Sequence, residues 1–132
     1  MTRTHENVGD LPPGKRREPD AYDTPMKAAF GVIDAVKIFE GRWKLEILFC
    51  LFGGNVRRFS DLERAIDGVS QKMLAQQLRQ LEREGMVRRI VHAEVPPRVE
   101  YALTDWGQAL CPALDALLQW KALRKKAPDD TP

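Results

Sequence analysis

The pattern of apolar and polar positions divides the chain into a polar start, a series of helices and one hairpin. From Pro25, apolar residues occupy nearly the whole circumference of a helix that ends before Gly41. Proline is favourable at the first position of a helix, because its missing N–H would have no partner there. A helix this apolar needs cover on two sides. In so small a protein, we expect a second subunit to supply part of that cover.

Three further helices follow, and the last two are separated by a very short turn. The second helix has one apolar face and ends at a pair of glycines. The third begins near Ser60, which we predict as its N-cap, with Glu63 reaching back to complete a capping box. Ser70 is predicted to cap the fourth helix, just after Gly68. Two helices joined by so short a glycine turn form a helix-turn-helix.

The fourth helix, from about Gln71 to Glu84, has two contrasting faces. One face carries leucines that we expect in the core, namely Leu74, Leu78 and Leu81. The opposite face carries three cations and one amide, namely Lys72, Gln76, Arg79 and Arg83. A helix fits the major groove of DNA, where glutamine pairs with adenine and arginine or lysine pairs with guanine. We therefore predict DNA contacts from Gln71 and this outer row, and from Ser60 and Ser70 at the helix starts. Which of them contact bases and which contact phosphates is left open.

Residues 86–103 predict two strands joined by a tip that two prolines make stiff. A hairpin directly after a recognition helix is a wing. Arg98, beside the tip, is a candidate for contact with the DNA backbone or minor groove. The alternative for this side chain is an ion pair with Glu100 or a neighbouring acid. His92 is predicted to be a surface residue.

A final helix is predicted from Thr104 to about Lys126, with more apolar surface than one small domain can bury. Pro112 lies too deep to be a first-turn proline, so we expect a kink near it. The fold class is therefore mostly α with a small β-hairpin, a winged helix-turn-helix. We expect the first and last helices to form a dimer interface through Phe30, Ile33, Trp106, Leu110, Leu114 and Leu117.

Length and charge narrow the class of protein. The 132 residues suffice for one domain, which we place at 25–126, between a flexible arm at 1–24 and a disordered tail at 127–132. Residues 25–127 carry 17 basic and 12 acidic side chains, an excess that suits a nucleic-acid partner without demonstrating one. No apolar run is long enough to cross a bilayer, and no secretory signal pattern is present. We therefore expect a cytoplasmic protein with no membrane partner.

Candidate chemistry is sparse along the chain. There is no phosphate loop, no nucleophile motif and no metal spacing, so we expect neither an enzyme nor a metal or cofactor. Cys50 and Cys111 lie within apolar helices, where a thiol is usually buried and inert. Phe49 and Cys50 occupy helix positions where an amphipathic pattern would place polar residues. They belong either to a dimer core or to a small pocket near it, so a small-molecule effector is left open.

Four stretches resemble the HxlR-type winged-helix regulators of bacteria. They are 41–44 (GRWK) with Ile47-Leu48, 58–62 (RFSDL), 66–84 with GVSQKML at 68–74, and 95–101 (VPPRVEY) with Leu103-Thr104 and Gly107. The resemblance extends from about Pro25 to Trp120. It implies a homodimer that binds double-stranded DNA at an inverted repeat and regulates transcription, with repression the favoured sense.

One departure from that family concerns regulation. Members that sense quinones, aldehydes or hypochlorite often carry a reactive cysteine just before the proline that opens the first helix. Thr24 occupies that position here, and its hydroxyl forms no low-pKa thiolate. We therefore do not expect thiol oxidation to be the main switch. A winged helix used for protein contact, and one that binds RNA, remain as alternatives, although Gln71 and Gln76 beside the cations of the fourth helix favour DNA.

Overall fold

The computed structural model describes residues 21–124. The chain divides into two compact units, Met1–Glu40 and Gly41–Pro132. The predicted tail at 127–132 and most of the predicted arm at 1–24 lie outside the described residues, so those predictions stay open. No helix within 21–124 is long and apolar enough to cross a membrane.

The first unit contains one described helix, α1 (Pro25–Phe39). Its start follows the predicted pattern: Pro25 occupies the first turn, and the Thr24 hydroxyl accepts a hydrogen bond from the Lys27 N–H at 3.1 Å. The ring of Tyr22 lies against Gly31, where an added Cβ would come within 2.5 Å of the ring. Ala28 is the one buried side chain of α1, so almost all of the apolar surface of this helix is exposed.

As far as residue 124, the second unit combines five helices with a small antiparallel sheet. Its elements are α2 (Arg42–Leu51), β1 (Arg57–Arg58), α3 (Phe59–Ala65), α4 (Gln71–Arg83), β2 (Val87–His92), β3 (Arg98–Leu103), α5 (Asp105–Gln108) and α6 (Cys111–Ala122). The strand order is β1-β3-β2. β2 and β3 form the hairpin, with Val87 opposite Leu103 and His92 opposite Arg98. β1 adds a two-residue third strand, with Arg57 opposite Tyr101 and Arg58 opposite Glu100.

The core of the second unit is aliphatic and draws on α2, α3, α4 and the start of the hairpin. Its most completely buried side chains are Ile47, Leu48, Leu51, Leu62, Ile66, Leu74, Leu78, Leu81, Met86 and Val87. Burying a side chain of this size stabilises the fold by roughly 1.5–3 kcal/mol relative to leaving it exposed. The three leucines predicted for the inner face of α4 are all among them, so this helix is firmly seated.

The start of α3 differs from the prediction. The helix begins at Phe59, so Ser60 lies inside its first turn and is not the N-cap. Asp61, not Glu63, reaches back, and its Oδ2 accepts a hydrogen bond from the Arg58 N–H at 3.0 Å. Because Arg58 also belongs to β1, the chain passes directly from strand to helix, and this brings the helix start forward.

The last predicted helix is in fact two helices, α5 and α6, with a break at Ala109 and Leu110. Pro112 lies in the first turn of α6, so the judgement that it sits too deep for such a position was wrong. There its missing N–H costs no hydrogen bond. Thr104 caps α5 as predicted, accepting from the Gly107 N–H at 3.0 Å.

Candidate nucleic-acid interface

α3 and α4 form a helix-turn-helix whose turn is fixed by two local features. Gly68 has a φ of +84°, a conformation that glycine adopts without the steric cost of a Cβ. Ser70 caps α4, and its Oγ accepts a hydrogen bond from the Met73 N–H at 3.0 Å, as predicted. The turn therefore ends abruptly and α4 begins with an ordered first turn.

The outer face of α4 is exposed, and its polar side chains have no partner among residues 21–124. Five predicted DNA-contacting side chains lie on it or at its start: Gln71, Lys72, Gln76, Arg79 and Arg83. None of the five side chains forms a hydrogen bond or ion pair with any residue in 21–124. The opposite leucines are almost fully buried. This places a row of free donors, three of them cationic, on the solvent side of a rigidly seated helix.

The residues of the predicted Ser60 and Ser70 contacts lie at the starts of α3 and α4. Both residues are exposed and stand in or just before the first turn of α3 or α4. Ser70 uses its oxygen as the acceptor of the α4 cap, which leaves its hydroxyl hydrogen available to an external acceptor. Ser60 is not an N-cap, so its hydroxyl oxygen does not accept a capping hydrogen bond.

The hairpin forms the wing, and Arg98 stands at its base beside the tip. The Arg98 side chain is 35% exposed, and its Nε lies 3.8 Å from Glu94 Oε2. Nε itself is buried and makes no hydrogen bond within the described chain. The ion-pair alternative is thus realised, with Glu94 and not Glu100 as the partner. At this distance, the pair is loose.

His92 has a more definite place than the sequence indicates. It is half-buried, and its Nε2 lies 2.5 Å from Glu100 Oε1, whereas a plain surface residue was predicted. Glu100 lies one diagonal step from His92 across the β2–β3 pairing, because Glu100 faces Ile90 and His92 faces Arg98. The pair therefore joins the two strands of the wing near its outer end, next to Arg98.

A model of the HxlR-like helix-turn-helix family matches residues 38–128. That range includes α2, both helices of the helix-turn-helix, the wing and α6. The chain belongs to the HxlR-like helix-turn-helix family. The mostly helical winged fold expected from the resemblance is therefore confirmed, and the sheet has three strands.

Relatives of this HxlR-type chain are named as transcriptional regulators. An uncharacterised HTH-type transcriptional regulator of Methanothermobacter thermautotrophicus is 46% identical over 86 residues, which make up 65% of this chain and 65% of that protein. The regulator YtcD of Bacillus subtilis, also uncharacterised, is 45% identical over 105 residues, covering 80% of this chain and 78% of YtcD. The chain thus spans about two thirds or more of each relative.

Solved structures of regulators share this fold. A structure from Enterococcus faecalis assigned to the MarR family of transcriptional regulators has a TM-score of 0.69 at 38% identity, covering 80% of this chain and 93% of its own. The redox regulator HypR in its reduced form has a TM-score of 0.64 at 36% identity, with coverages of 68% and 88%. The family and its relatives are regulators, not enzymes.

Sequence reasoning missed a set of contacts that holds the HxlR-type helix-turn-helix in place. The Arg42 guanidinium lies 2.6 Å from Glu46 Oε2, donates to the Asp67 carbonyl oxygen at 3.0 Å, and lies 4.3 Å from the centroid of the Trp43 ring. A Cβ on Gly68 would be 3.8 Å from that ring. The start of α2 therefore supports the turn between α3 and α4. The i,i+4 spacing of Arg42 and Glu46 is a usable sequence signal, whereas the contact with Asp67 has none.

The residues predicted for the dimer interface are not all on the surface. Phe30 and Ile33 on α1, Trp106 on α5 and Leu117 on α6 are each about half exposed or more, and Leu110 is half-buried. Leu114 is only 6% exposed, so it belongs to the buried interior. Leu118, Trp120 and Leu123 are exposed and extend the apolar surface of α6.

The two cysteines are both half-buried and form no disulfide. Burial raises the pKa of the Cys50 thiol, and the nearby positive charge of Arg57 partly opposes that rise. Cys50 lines a cavity together with side chains of β1 and α3. Phe49 instead is exposed and packs edge-on against Phe52 at 5.1 Å. Within residues 21–124, no three His, Cys, Asp or Glu side chains are arranged to hold a metal ion.

Proposed function

We propose that this HxlR-type chain is a sequence-specific DNA-binding transcriptional regulator that acts as a homodimer on an inverted-repeat operator. The observation that carries the proposal is the uncommitted polar row on α4, opposite leucines that fix the helix. Because these side chains have no partner within residues 21–124, they lose no hydrogen bond to that part of the chain when they bind a base or phosphate, so the net gain is larger. A cytoplasmic location, and repression as the sense of control, belong to the same proposal.

Each element has a separate task in this mechanism. α4 enters the major groove with its first turns nearest the bases, so Gln71, Lys72 and Gln76 lie deepest, with Arg79 behind them. Arg83, at the far end of the row, contacts a phosphate. Phosphate contacts fix the register of the protein on DNA, and base contacts give the sequence preference.

The wing and the two serines supply backbone contacts. Arg98 is held only loosely by Glu94, at 3.8 Å, so a phosphate can replace that carboxylate without the loss of a strong pair. The hydroxyl of Ser60 is free of capping, and that of Ser70 can still donate. These contacts favour DNA over the protein-contact alternative, because they add further exposed donors on α3 and the wing to those of α4.

The exposed apolar surfaces of α1 and α6 support the homodimer. Exposed apolar side chains on a helix of each unit mark an interaction site on that unit. A second copy of the chain is the partner that the inverted-repeat operator requires, because a two-fold dimer presents two equivalent α4 helices.

Selection from a random DNA library by the full chain tests this proposal. We expect enrichment of an inverted repeat whose half-sites lie about 10 base pairs, or a multiple, apart. Enrichment of no sequence, with equal retention of scrambled DNA, would instead favour the protein-contact alternative. Selective retention of RNA would favour the RNA-binding alternative.

A further inference from the structure

A cavity of about 280 Å³ lies on the second unit, and none of the residues that line it belongs to α4. It is lined by Cys50 of α2, Arg57 of β1, and Asp61, Arg64 and Ala65 of α3. Three elements thus meet around it, of which α3 belongs to the helix-turn-helix and β1 to the sheet. Ala65 is exposed and borders this cavity.

The charges around the cavity leave one guanidinium unpaired. Both oxygens of Asp61 are engaged: Oδ2 accepts from the Arg58 N–H at 3.0 Å, and Oδ1 lies 2.7 Å from Arg64 Nη2. The Arg57 side chain makes no hydrogen bond or ion pair with any residue that the structure describes. Its charge nevertheless acts on the Cys50 thiol, which places it close to the half-buried wall of the cavity.

The remaining lining limits the size and chemistry of a ligand. The Ala65 methyl and the Cys50 sulfur are apolar or weakly polar, and a thiol is only a weak hydrogen-bond donor. A volume of about 280 Å³ is at the lower end for small-molecule sites. It accommodates a single ring with one charged group, and not a nucleotide or a long acyl chain.

We propose that this cavity binds a small organic carboxylate, with Arg57 pairing with the carboxylate and Cys50 and Ala65 contacting its apolar body. A planar guanidinium is well suited to this task, because it can donate two parallel hydrogen bonds to one carboxylate. The site is distinct from the DNA-contacting row, and occupancy of the site does not depend on the proposed function.

The regulatory consequence does rest on the proposed DNA binding. Arg57 is paired with Tyr101 of β3, a strand of the wing, and Ala65 ends α3, the first helix of the helix-turn-helix. A ligand held between them therefore contacts the helix-turn-helix directly through α3, and is linked to the wing through the pairing of β1 with β3. Its binding energy favours one relative placement of these elements and so changes the affinity for an operator.

Isothermal titration calorimetry on the full chain, with benzoate as the probe and benzamide as its neutral counterpart, tests the site. We expect one benzoate per chain and binding by benzamide at least about tenfold weaker. Arg57→Gln should lower benzoate affinity at least about tenfold, since a hydrogen bond to a charged group is worth that much. Ala65→Leu, which fills the cavity but keeps Arg57, should also abolish binding. Arg88→Gln removes an exposed arginine elsewhere on the sheet and should leave affinity unchanged.

Several results would overturn the assignment. These are no saturable benzoate heat, equal affinity for benzoate and benzamide, equal losses in Arg57→Gln and Arg88→Gln, or displacement of benzoate by sulfate at equal affinity. Thermal unfolding of each variant shows that it is folded, so a loss of binding can be interpreted. Operator binding, measured separately, distinguishes the two proposals. If the chain binds the operator but no benzoate, the carboxylate site alone is refuted. If it binds benzoate but no operator, the DNA function alone is refuted.

Discussion

Gly107 lies where two backbone segments approach too closely for a side chain. A Cβ at this position would be only 2.1 Å from the Met86 carbonyl oxygen. Thr104 holds the approach in place, since its N–H donates to the same oxygen at 3.0 Å and its hydroxyl donates to the Gly85 carbonyl at 2.5 Å. The residues Leu103-Thr104 and Gly107, which carry part of the family resemblance, are thus explained by the docking of α5 on the start of the wing.

Gly107→Ala should therefore lower the free energy of unfolding by about 1–3 kcal/mol or more, the usual cost of overpacking a tight site. Chemical denaturation measures the change. Ala109→Ser, two residues away and exposed, should stay within about 0.5 kcal/mol of the parent. Equal stability of Gly107→Ala and the parent would show that Met86 and α5 are not in contact as described.

Cys50 should react slowly at neutral pH, because burial raises its pKa. In the folded chain the thiolate is disfavoured, so this group's contribution to stability is complete below the pKa of the unfolded thiol and is lost as pH rises through the folded pKa. The rate of iodoacetamide alkylation against pH, in the Cys111→Ser variant, should have a midpoint above that of the same chain in urea. Arg57→Gln should raise the midpoint further.

A Cys50 midpoint at or below that of the unfolded thiol, or a fall in Arg57→Gln, would contradict this picture. A scarce thiolate also agrees with the expectation, drawn from Thr24, that thiol oxidation is not the main switch. That expectation stays a prediction, and treatment of the operator complex with a quinone is its direct measurement.

At the scale of elements, the helix-turn-helix depends on α2 as much as on its own two helices. Arg42 reaches from the start of α2 to the carbonyl of Asp67 and covers Trp43 beside Gly68. Lys44 donates to the Gln80 side chain at 2.6 Å and so ties α2 to α4 as well. The placement of α4 relative to α3 therefore depends on contacts from a third helix.

Arg42→Ala should weaken operator binding about five- to tenfold, because loss of one net hydrogen bond of about 1 kcal/mol loosens the turn that positions α4. Glu46→Gln is the matched control. It removes the exposed Arg42–Glu46 ion pair, which is worth little, but keeps the Asp67 contact. If both variants bind DNA as well as the parent does, Arg42 does not position the turn.

The elements that the sequence predicted well are those whose signals are local. α4 follows from its own periodicity, its Ser70 cap and the glycine before it. The start of α3 was misplaced because Ser60 and Glu63 fit a capping pattern, while the real helix start is set by the preceding strand and Asp61. The kink expected near Pro112 is in fact a full break before α6, because its position depends on how Thr104 and Gly107 dock on Met86, a contact between segments far apart in sequence.

The candidate site residues show the same difference between local signals and long-range contacts. The outer row of α4 could be identified from spacing alone, since an exposed face requires no distant partner. For Arg98, the sequence predicted an ion pair with Glu100 or a neighbouring acid as one alternative, and in the structure the partner is Glu94. The partner of His92 and the contacts of Arg42 lie across strands or between helices, so spacing could not reveal them.

At the scale of the whole molecule, the exposed apolar surface predicts self-association. Phe30 is 61% exposed and Trp120 is 70% exposed, unusual values for such large side chains in a monomer. Sedimentation at micromolar concentration should give a dimer. Leu117→Lys, which places a charge among the exposed apolar side chains of α6, should shift the chain toward monomer, while Gln76→Lys on α4 should not. A monomeric parent chain would refute the dimer.

The most direct test of the central claim is the base preference of α4 variants compared with a wing variant, measured on the selected operator and all its single-base changes. Arg79→Ala and Gln76→Ala should relax the preference at defined positions, each contact being worth about 1–3 kcal/mol of discrimination. Arg98→Ala should weaken binding evenly across all sequences. If all three variants lose affinity by the same factor on every sequence, or none loses any, then α4 does not read the DNA and the account is contradicted.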